Sequence, residues 1–214
     1  MNPIAILGGT FDPIHIGHLR VAWEAAEALN ANVRLMPANV PPHRPAPVAA
    51  AGQRVRMLEA ALAGQDRLLL DTRELRREGP SYSIDTLREL RAQTSAAQPL
   101  ILLLGADAFA GLSSWREWRG LFDLAHIVVL TRPGHAPALP QELATEIAPR
   151  KVASVQPLQQ SPAGKVLDLP VTALEISASA VRALLAAGHE PRWLLPDALF
   201  ADTQLLAPYR KPAL

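Results

Sequence analysis

The chain has 214 residues, of which 49% are hydrophobic, and this suits one globular α/β domain with its own core. Its 21 basic and 20 acidic residues nearly cancel, so the basic excess of a nucleic-acid-binding surface is missing. It contains no cysteine, which excludes disulfides, thiolate metal sites and a cysteine nucleophile. Because no apolar stretch approaches the roughly 20 residues that span a bilayer, we expect a cytoplasmic protein without a membrane partner.

Short apolar runs alternate with amphipathic segments along the chain. The runs, bounded by Gly, Pro or charge, are typical of buried strands and cover residues 4–7, 33–36, 68–70, 100–104 and 127–130. Between them, apolar residues recur at helical steps of three and four, at Leu19, Ala22, Ala26 and Leu29, at Val55, Leu58 and Leu62, and at Ile84, Leu87 and Leu90. This alternation predicts an α/β fold, a Rossmann-like open parallel sheet with helices on both faces.

The later part of the chain is predicted to be less regular. Residues 154–164 are polar and predict a loop, and the segment after Ala207 predicts a loose tail. The last helix is predicted to begin near Ser179 and to end with a glycine cap at Gly188. We expect residues 1–214 to form a single domain with a small helical C-terminal part at about residues 176–206.

Residues 8–18 follow the first predicted strand and lead into the first predicted helix, with the sequence GGTFDPIHIGH. Ligands of an open parallel sheet bind beyond the carboxyl ends of its strands. Gly8 and Gly9 let the backbone approach a bulky anion, and the helix N-terminus offers free N–H groups. His15 and His18 are three residues apart, so both imidazoles can lie on one face of the first turn. We expect them to donate to phosphoryl oxygens, and phosphate charge to favour their protonated form.

Other interpretations of this segment stay open. A His-x-x-His pair also occurs in metal sites, although no third strong ligand lies close by in the sequence. The two histidines can also act only as helix caps. Asp12 precedes Pro13 and is more typical of a turn residue than of a catalytic acid. Two commoner phosphate loops, G-x-G-x-x-G and G-x-x-x-x-G-K-[ST], are absent from the sequence.

A second candidate phosphate site opens the last predicted helix, at residues 176–182, ISASAVR. Ser177 or Ser179 can cap this helix, and the same hydroxyls can bind phosphate beside Arg182, a fixed positive charge one turn along. Taken alone, the segment favours a serine cap and a surface arginine. Together with residues 8–18, it favours a triphosphate site.

These two segments resemble the phosphate motifs of the nucleotidyltransferase α/β-phosphodiesterase superfamily. The His-x-Gly-His element is matched by His15-Ile16-Gly17-His18, and ISASAVR resembles the motif usually written ISSTxIR. Within the superfamily, the chain is similar to the bacterial nicotinate mononucleotide adenylyltransferases over nearly its whole length. That similarity includes Pro37-Ala38-Asn39, Pro41-Pro42-His43-Arg44, residues 54–58 and 79–87, Leu104-Gly105-Ala106-Asp107-Ala108, Trp115 and Arg132-Pro133-Gly134.

The resemblance implies that ATP and nicotinate mononucleotide give deamido-NAD and pyrophosphate. It implies Mg²⁺ accompanying ATP, with no direct protein ligand to the metal, and leaves open whether the chain forms a homo-oligomer. Because the acceptor phosphate itself attacks the α-phosphorus, catalysis consists of positioning and charge stabilisation.

The resemblance also assigns roles to residues. His15 and His18 are the implied catalytic residues. The implied ATP-binding residues are Gly8, Gly9, Thr10, Phe11, Gly105, Asp107, Ser177, Ser179 and Arg182. The implied mononucleotide-binding residues are Asn39, His43, Arg44, Ser83, Thr86, Trp115 and Arg132. Of the two neighbours Trp115 and Trp118, we expect one to pack in the core.

The chain departs from the family pattern at a few positions. Ala178 and Ser179 stand where ISSTxIR has Ser and Thr, so a hydroxyl is kept but some contacts are in doubt. Arg44 stands where Lys often follows His, and Ser83 replaces a common Thr. The usual Tyr shortly after Leu195-Pro196 is missing, which puts the C-terminal packing in doubt.

Alternative functions remain at this point. Pantetheine-phosphate adenylyltransferases share both phosphate motifs, but they are typically shorter and lack the Gly-Pro-Ser-Tyr stretch. Class I aminoacyl-tRNA synthetases carry the His-Ile-Gly-His motif, but this chain has no Lys-Met-Ser-Lys-Ser match and no anticodon module. A nicotinamide mononucleotide acceptor, or a non-catalytic nucleotide-binding module with dispensable histidines, also stays open.

Overall fold

The computed structural model describes residues 2–41, 45–132, 134, 137–172 and 174–210. Within these ranges the strands are β1 (Ile4–Gly9), β2 (Asn32–Pro37), β3 (Leu68–Leu70), β4 (Leu100–Gly105), β5 (His126–Thr131), β6 (Lys151–Val152) and β7 (Val166–Pro170). They form one parallel sheet in the order β3-β2-β1-β4-β5-β7-β6.

The α-helices of the described ranges are α1 (Ile16–Leu29), α2 (Ala51–Leu62), α3 (Ser83–Gln93), α4 (Ala106–Ala110), α5 (Leu121–Leu124), α6 (Gln141–Ile147), α7 (Gln156–Gln160), α8 (Ala178–Ala186) and α9 (Ala198–Ala201). Short 3₁₀ turns lie at Arg73–Arg76, Leu112–Ser114, Trp118–Gly120, Ala148–Arg150 and Ala207–Tyr209. No helix in the described part of the chain has the length and apolarity to cross a membrane.

Both faces of the sheet are covered by helices, as predicted. Side chains alternate along each strand, so in β1 Ala5 and Leu7 face one core while Ile6 faces the other. The first core is completed by α1, α2, α7, α8 and α9, and the second by α3, α4, α5 and α6. The predicted Rossmann-like α/β fold is therefore confirmed.

The predicted strands and helices are confirmed, but two strands were not predicted from the sequence. β6 has only two residues, and the run of apolar residues in β7 is broken by Asp168, whose carboxylate accepts a hydrogen bond from Lys151 Nζ at 2.8 Å. These strands lie at one edge of the sheet, where less of each strand is buried and the apolar signal is weaker.

Three expectations for the later part of the chain were wrong. Residues 154–164 are not all loop, because α7 forms there around the buried Leu158. α8 ends with the predicted cap at Gly188 (φ 81°), but it is not the last helix, since α9 follows. The described part of the C-terminal segment, up to residue 210, is not loose either: Ala207–Tyr209 form a 3₁₀ turn whose Tyr209 is buried in the first core.

The strand order determines where a ligand can bind. β1 pairs with β2 on one side and with β4 on the other, so the chain reverses its direction of winding between β1 and β4. Such a reversal opens a crevice beyond the carboxyl ends of the two strands. Gly9 and Gly105 end these strands, which places the first motif and the Gly105–Asp107 segment at that crevice.

Candidate active site

The two glycines at the end of β1 differ in their surroundings. A Cβ atom added to Gly8 would meet nothing within 4 Å, so its backbone is open to close approach. A Cβ atom on Gly9 would lie 2.9 Å from the Phe11 ring. Phe11 adopts a left-handed backbone (φ 49°) and buries its ring, which meets His18 edge to face at 5.1 Å between centroids. The Phe11 ring thus packs against His18, a candidate catalytic residue.

His15 is both a helix cap and a possible donor to phosphate. Its Nδ1 accepts a hydrogen bond from the His18 backbone N–H at 3.3 Å, which caps α1, and its ring stacks on His18 at 3.6 Å. Because His15 is only 5% exposed, burial lowers the pKa of its imidazole to about 4. The neutral ring with Nδ1 as acceptor carries its proton on Nε2, and this N–H can donate to a phosphoryl oxygen.

The structure brings the two phosphate motifs together. Arg182 donates from Nη1 to the backbone carbonyl of Asp12 at 2.7 Å and from Nη2 to Ser179 Oγ at 3.2 Å. Ser177 caps α8 by accepting from the Ala180 N–H at 3.1 Å. Residues 170 positions apart in the sequence therefore meet at the carboxyl end of β1.

Asp12 does more than its predicted role in a turn. Its buried carboxylate accepts hydrogen bonds from the Val48 N–H at 2.8 Å, the Ala49 N–H at 3.0 Å and the Tyr209 hydroxyl at 2.7 Å. It lies 3.8 Å from the guanidinium of Arg182. Asp12 thus ties the first motif to the segment before α2 and to the C-terminal turn.

Arg54 was not identified from the sequence as a site residue. Its side chain is 1% exposed, and its Nη1 donates to the Thr10 carbonyl at 2.7 Å. Burial lowers the pKa of this guanidinium, while the nearby Asp12 opposes the shift. A signal existed in the sequence, since Arg54 lies four residues before Leu58 and therefore on the buried stripe of α2.

The carboxyl end of β4 presents the other predicted ATP-binding residues. Gly105 is exposed, and a Cβ atom there would meet nothing within 4 Å. Asp107 follows in the first turn of α4 and is also exposed. Gly105 and Asp107 lie on the β4 side of the crevice. Gly8 and Gly9, at the end of β1, lie on its other side.

Three of the residues predicted to bind the mononucleotide, Asn39, Ser83 and Thr86, lie where the segment after β2 meets the start of α3. The Asn39 N–H donates to Ser81 Oγ at 2.9 Å, and its side-chain amide donates to the Arg77 carbonyl at 2.9 Å. Ser83 is the first residue of α3 and is half-buried. Thr86 is buried, and its hydroxyl donates to Glu74 at 2.6 Å and also contacts Arg77. The Thr86 hydroxyl therefore makes its hydrogen bonds to other side chains of the protein.

The two tryptophans separate as expected. Trp118 is buried and meets the Phe122 ring edge to face at 6.3 Å, so it is the core residue of the pair. Trp115 is half-buried and packs at the margin of the second core. Arg132 is exposed directly after β5. His43 and Arg44 lie outside the described residues.

Comparison with known proteins identifies the family. A model of the cytidylyltransferase-like family matches residues 6–184. A probable nicotinate-nucleotide adenylyltransferase of Marinobacter nauticus is 48% identical, over 90% of this chain and 89% of its own length. A protein of the same name from Pseudomonas aeruginosa is 46% identical over 98% of both chains.

Solved structures agree on the fold. The Plasmodium falciparum nicotinic acid mononucleotide adenylyltransferase, solved with NaAD, superimposes with a TM-score of 0.71 at 16% identity, over 98% of this chain and 96% of its own. From the sequence relatives and the geometry of its two phosphate motifs, the chain belongs to the nicotinate-nucleotide adenylyltransferase family.

Proposed function

We propose that the chain transfers the adenylyl group of ATP to nicotinate mononucleotide at the crevice between β1 and β4, a step of NAD biosynthesis. The contact between Arg182 Nη1 and the Asp12 carbonyl, at 2.7 Å, carries this proposal. It joins the two motifs into one cluster of hydrogen-bond donors, and a cluster of that size suits a triphosphate better than a single phosphate.

The first motif handles the α-phosphoryl group. An oxygen of the acceptor phosphate forms a bond to the α-phosphorus while the bond to the bridging oxygen breaks, and pyrophosphate leaves. The His15 Nε2–H and the imidazole of His18 stabilise the charge that develops there, assisted by the N-terminus of α1. The backbone around Gly8 allows the phosphates to come close.

The second motif holds the β- and γ-phosphates. Arg182 has five N–H donors, of which two are used by the Asp12 carbonyl and Ser179. The remaining donors, with the hydroxyls of Ser177 and Ser179, suit phosphate oxygens. This donor set of nitrogens and hydroxyls does not suit a hard cation, so we propose that Mg²⁺ is held through the phosphates of ATP.

The acceptor lies against α3 in this proposal. The first N–H groups of this 11-residue helix suit the nicotinate carboxylate, and we propose that the half-buried Trp115 ring stacks on the pyridinium. Asn39 and Arg132 border this region, and we propose that His43 and Arg44 bind the phosphate of the mononucleotide. Gly105 and Asp107 would hold the ATP ribose. Thr86 would act indirectly, by fixing α3 to Glu74.

Pyrophosphate release with ATP and three separate acceptors tests this proposal. We expect rapid release with nicotinate mononucleotide, and release at least about tenfold slower with nicotinamide mononucleotide, which lacks the carboxylate. No release with nicotinate mononucleotide would refute the function. Preference for the amide would refute the placement of the carboxylate at α3, and preference for phosphopantetheine would assign the chain to the sister enzyme.

A further inference from the structure

We infer that the C-terminal turn Ala207–Tyr209 belongs to the triphosphate site, with Tyr209 as a positioning residue that holds the Asp12 carboxylate away from Arg182. This inference rests on the proposed function of Arg182 in phosphate binding. No substrate contact is assigned to Tyr209, because it acts through Asp12.

Tyr209 is built into the protein interior. It is 4% exposed, packs in the first core, and donates its hydroxyl to Asp12 Oδ1 at 2.7 Å. Burial and the neighbouring carboxylate raise the pKa of Tyr209, so the hydroxyl keeps its proton and acts as a donor. The hydrogen bond links residues 197 positions apart.

The turn is fastened to α2 by a second set of buried bonds. The side-chain amide of Gln53 donates to the carbonyls of Gln204 and Leu205, both at 2.7 Å. The next residue, Arg54, donates to the Thr10 carbonyl. Two consecutive side chains of α2 therefore hold the C-terminal segment and the first motif in a fixed relation to each other.

The position of the Asp12 carboxylate matters because it lies beside a phosphate-binding arginine. Its oxygens are occupied by the Tyr209 hydroxyl and by the N–H groups of Val48 and Ala49, and Oδ2 stays 3.8 Å from Arg182. Without the Tyr209 hydroxyl, a buried acceptor loses one partner, and a closer ion pair with Arg182 becomes its best replacement. That ion pair would compete with the phosphates of ATP for the same guanidinium.

ATP affinity of Tyr209→Phe tests this inference, measured by direct binding and as the KM for ATP. The ring and its packing are kept, so we expect a folded protein whose ATP affinity falls about tenfold, the effect of one charge-assisted hydrogen bond. The kcat at saturating ATP and the KM for nicotinate mononucleotide should change less than about threefold. A purely structural role would instead lower the active fraction and leave ATP affinity unchanged.

Two further variants keep the inference falsifiable. Gln53→Met releases the turn without touching Tyr209, and it should weaken ATP binding in the same direction. Leu199→Ala, in the buried face of α9, should lower thermal stability while ATP affinity stays at the wild-type value. Unchanged ATP affinity in Tyr209→Phe, or an equal loss in Leu199→Ala, would overturn the inference. A wild-type chain that binds ATP without transferring it would refute the proposed function alone.

Discussion

At the scale of single residues, His15 shows how one side chain can cap a helix and remain chemically useful. Its Nδ1 is used by the His18 N–H, which leaves the proton on Nε2. From the sequence alone, helix capping and phosphate binding were alternative roles for His15, whereas the geometry allows both. The pair was predictable from its spacing, but the stacking of the two rings and the burial of His15 depend on Phe11 and the first core.

The burial of His15 predicts a pH dependence of stability. Its pKa in the folded chain is about 4, below the unfolded value of 6.5, so the unfolded chain binds the proton more readily between these values. The contribution of the buried His15 to the free energy of unfolding should therefore be complete above about pH 6.5 and should be lost progressively as the pH drops towards 4. His126, whose pKa burial also lowers, contributes with the same sign.

The variant His15→Asn isolates this effect, because Asn keeps an N-cap acceptor but does not titrate. Urea unfolding between about pH 4.5 and 7.5 should give a shallower pH dependence than in the wild type, by up to about 1.4 kcal/mol per pH unit. Parallel curves for His15→Asn would contradict the burial of His15.

Two other residues mark the limit of prediction from sequence at this scale. Asp12 looked like a turn residue because its partners, the N–H groups of Val48 and Ala49 and the Tyr209 hydroxyl, are distant in sequence. Arg54 was not identified as a site residue, although it lies on the buried stripe of α2, because its partner, the Thr10 carbonyl, is also distant in sequence. Long-range hydrogen bonds leave no local pattern in a single sequence.

At the scale of elements, the start of α1 is shaped by Gly17. A Cβ atom at this position would lie 3.1 Å from His15 Nδ1 and 3.2 Å from its Cε1. The imidazole cannot move away without loosening its hydrogen bond to the His18 N–H and its stacking on His18. The absence of a side chain at Gly17 thus leaves room for the His15 imidazole in its observed position.

Gly17→Ala should therefore lower kcat by about tenfold or more, since a misplaced catalytic group costs much of its effect. Gly52→Ala is a matched control, because a Cβ atom there meets nothing within 4 Å. In α2 this change should leave turnover unchanged and raise the free energy of unfolding by about 0.5–1 kcal/mol. Steady-state kinetics and urea unfolding of both variants check the prediction, and equal kinetics would contradict the steric role of Gly17.

The central strands of the sheet and its longer helices were predictable from sequence. β1, β2, β4 and β5 lie in the middle of the sheet and read as apolar runs, and α1 shows the expected apolar stripe. β6, α7 and the turn at Tyr209 were missed because each is only two to five residues long. Their positions are determined by tertiary contacts, such as the burial of Leu158, and short segments carry little periodicity.

At the scale of the whole molecule, the strand order assembles the site. The alternation of strands and helices predicted a parallel sheet, but it did not predict that β4 would lie next to β1. That neighbourhood opens the crevice at Gly9 and Gly105. The pairing of residues 8–18 with residues 176–182 was expected from their donor groups and from the family resemblance, and the contacts of Arg182 give it a geometric basis.

The most direct test of one triphosphate site made from two distant motifs is the kcat for pyrophosphate release in His18→Ala and Arg182→Ala. The kcat of both variants with ATP and nicotinate mononucleotide should fall by about 100-fold or more. In His18→Ala, kcat should fall by a much larger factor than the affinity for ATP. His189→Ala, an exposed histidine, is the matched control and should keep wild-type turnover. Near wild-type turnover in either His18→Ala or Arg182→Ala would contradict the assignment of that motif to the active site.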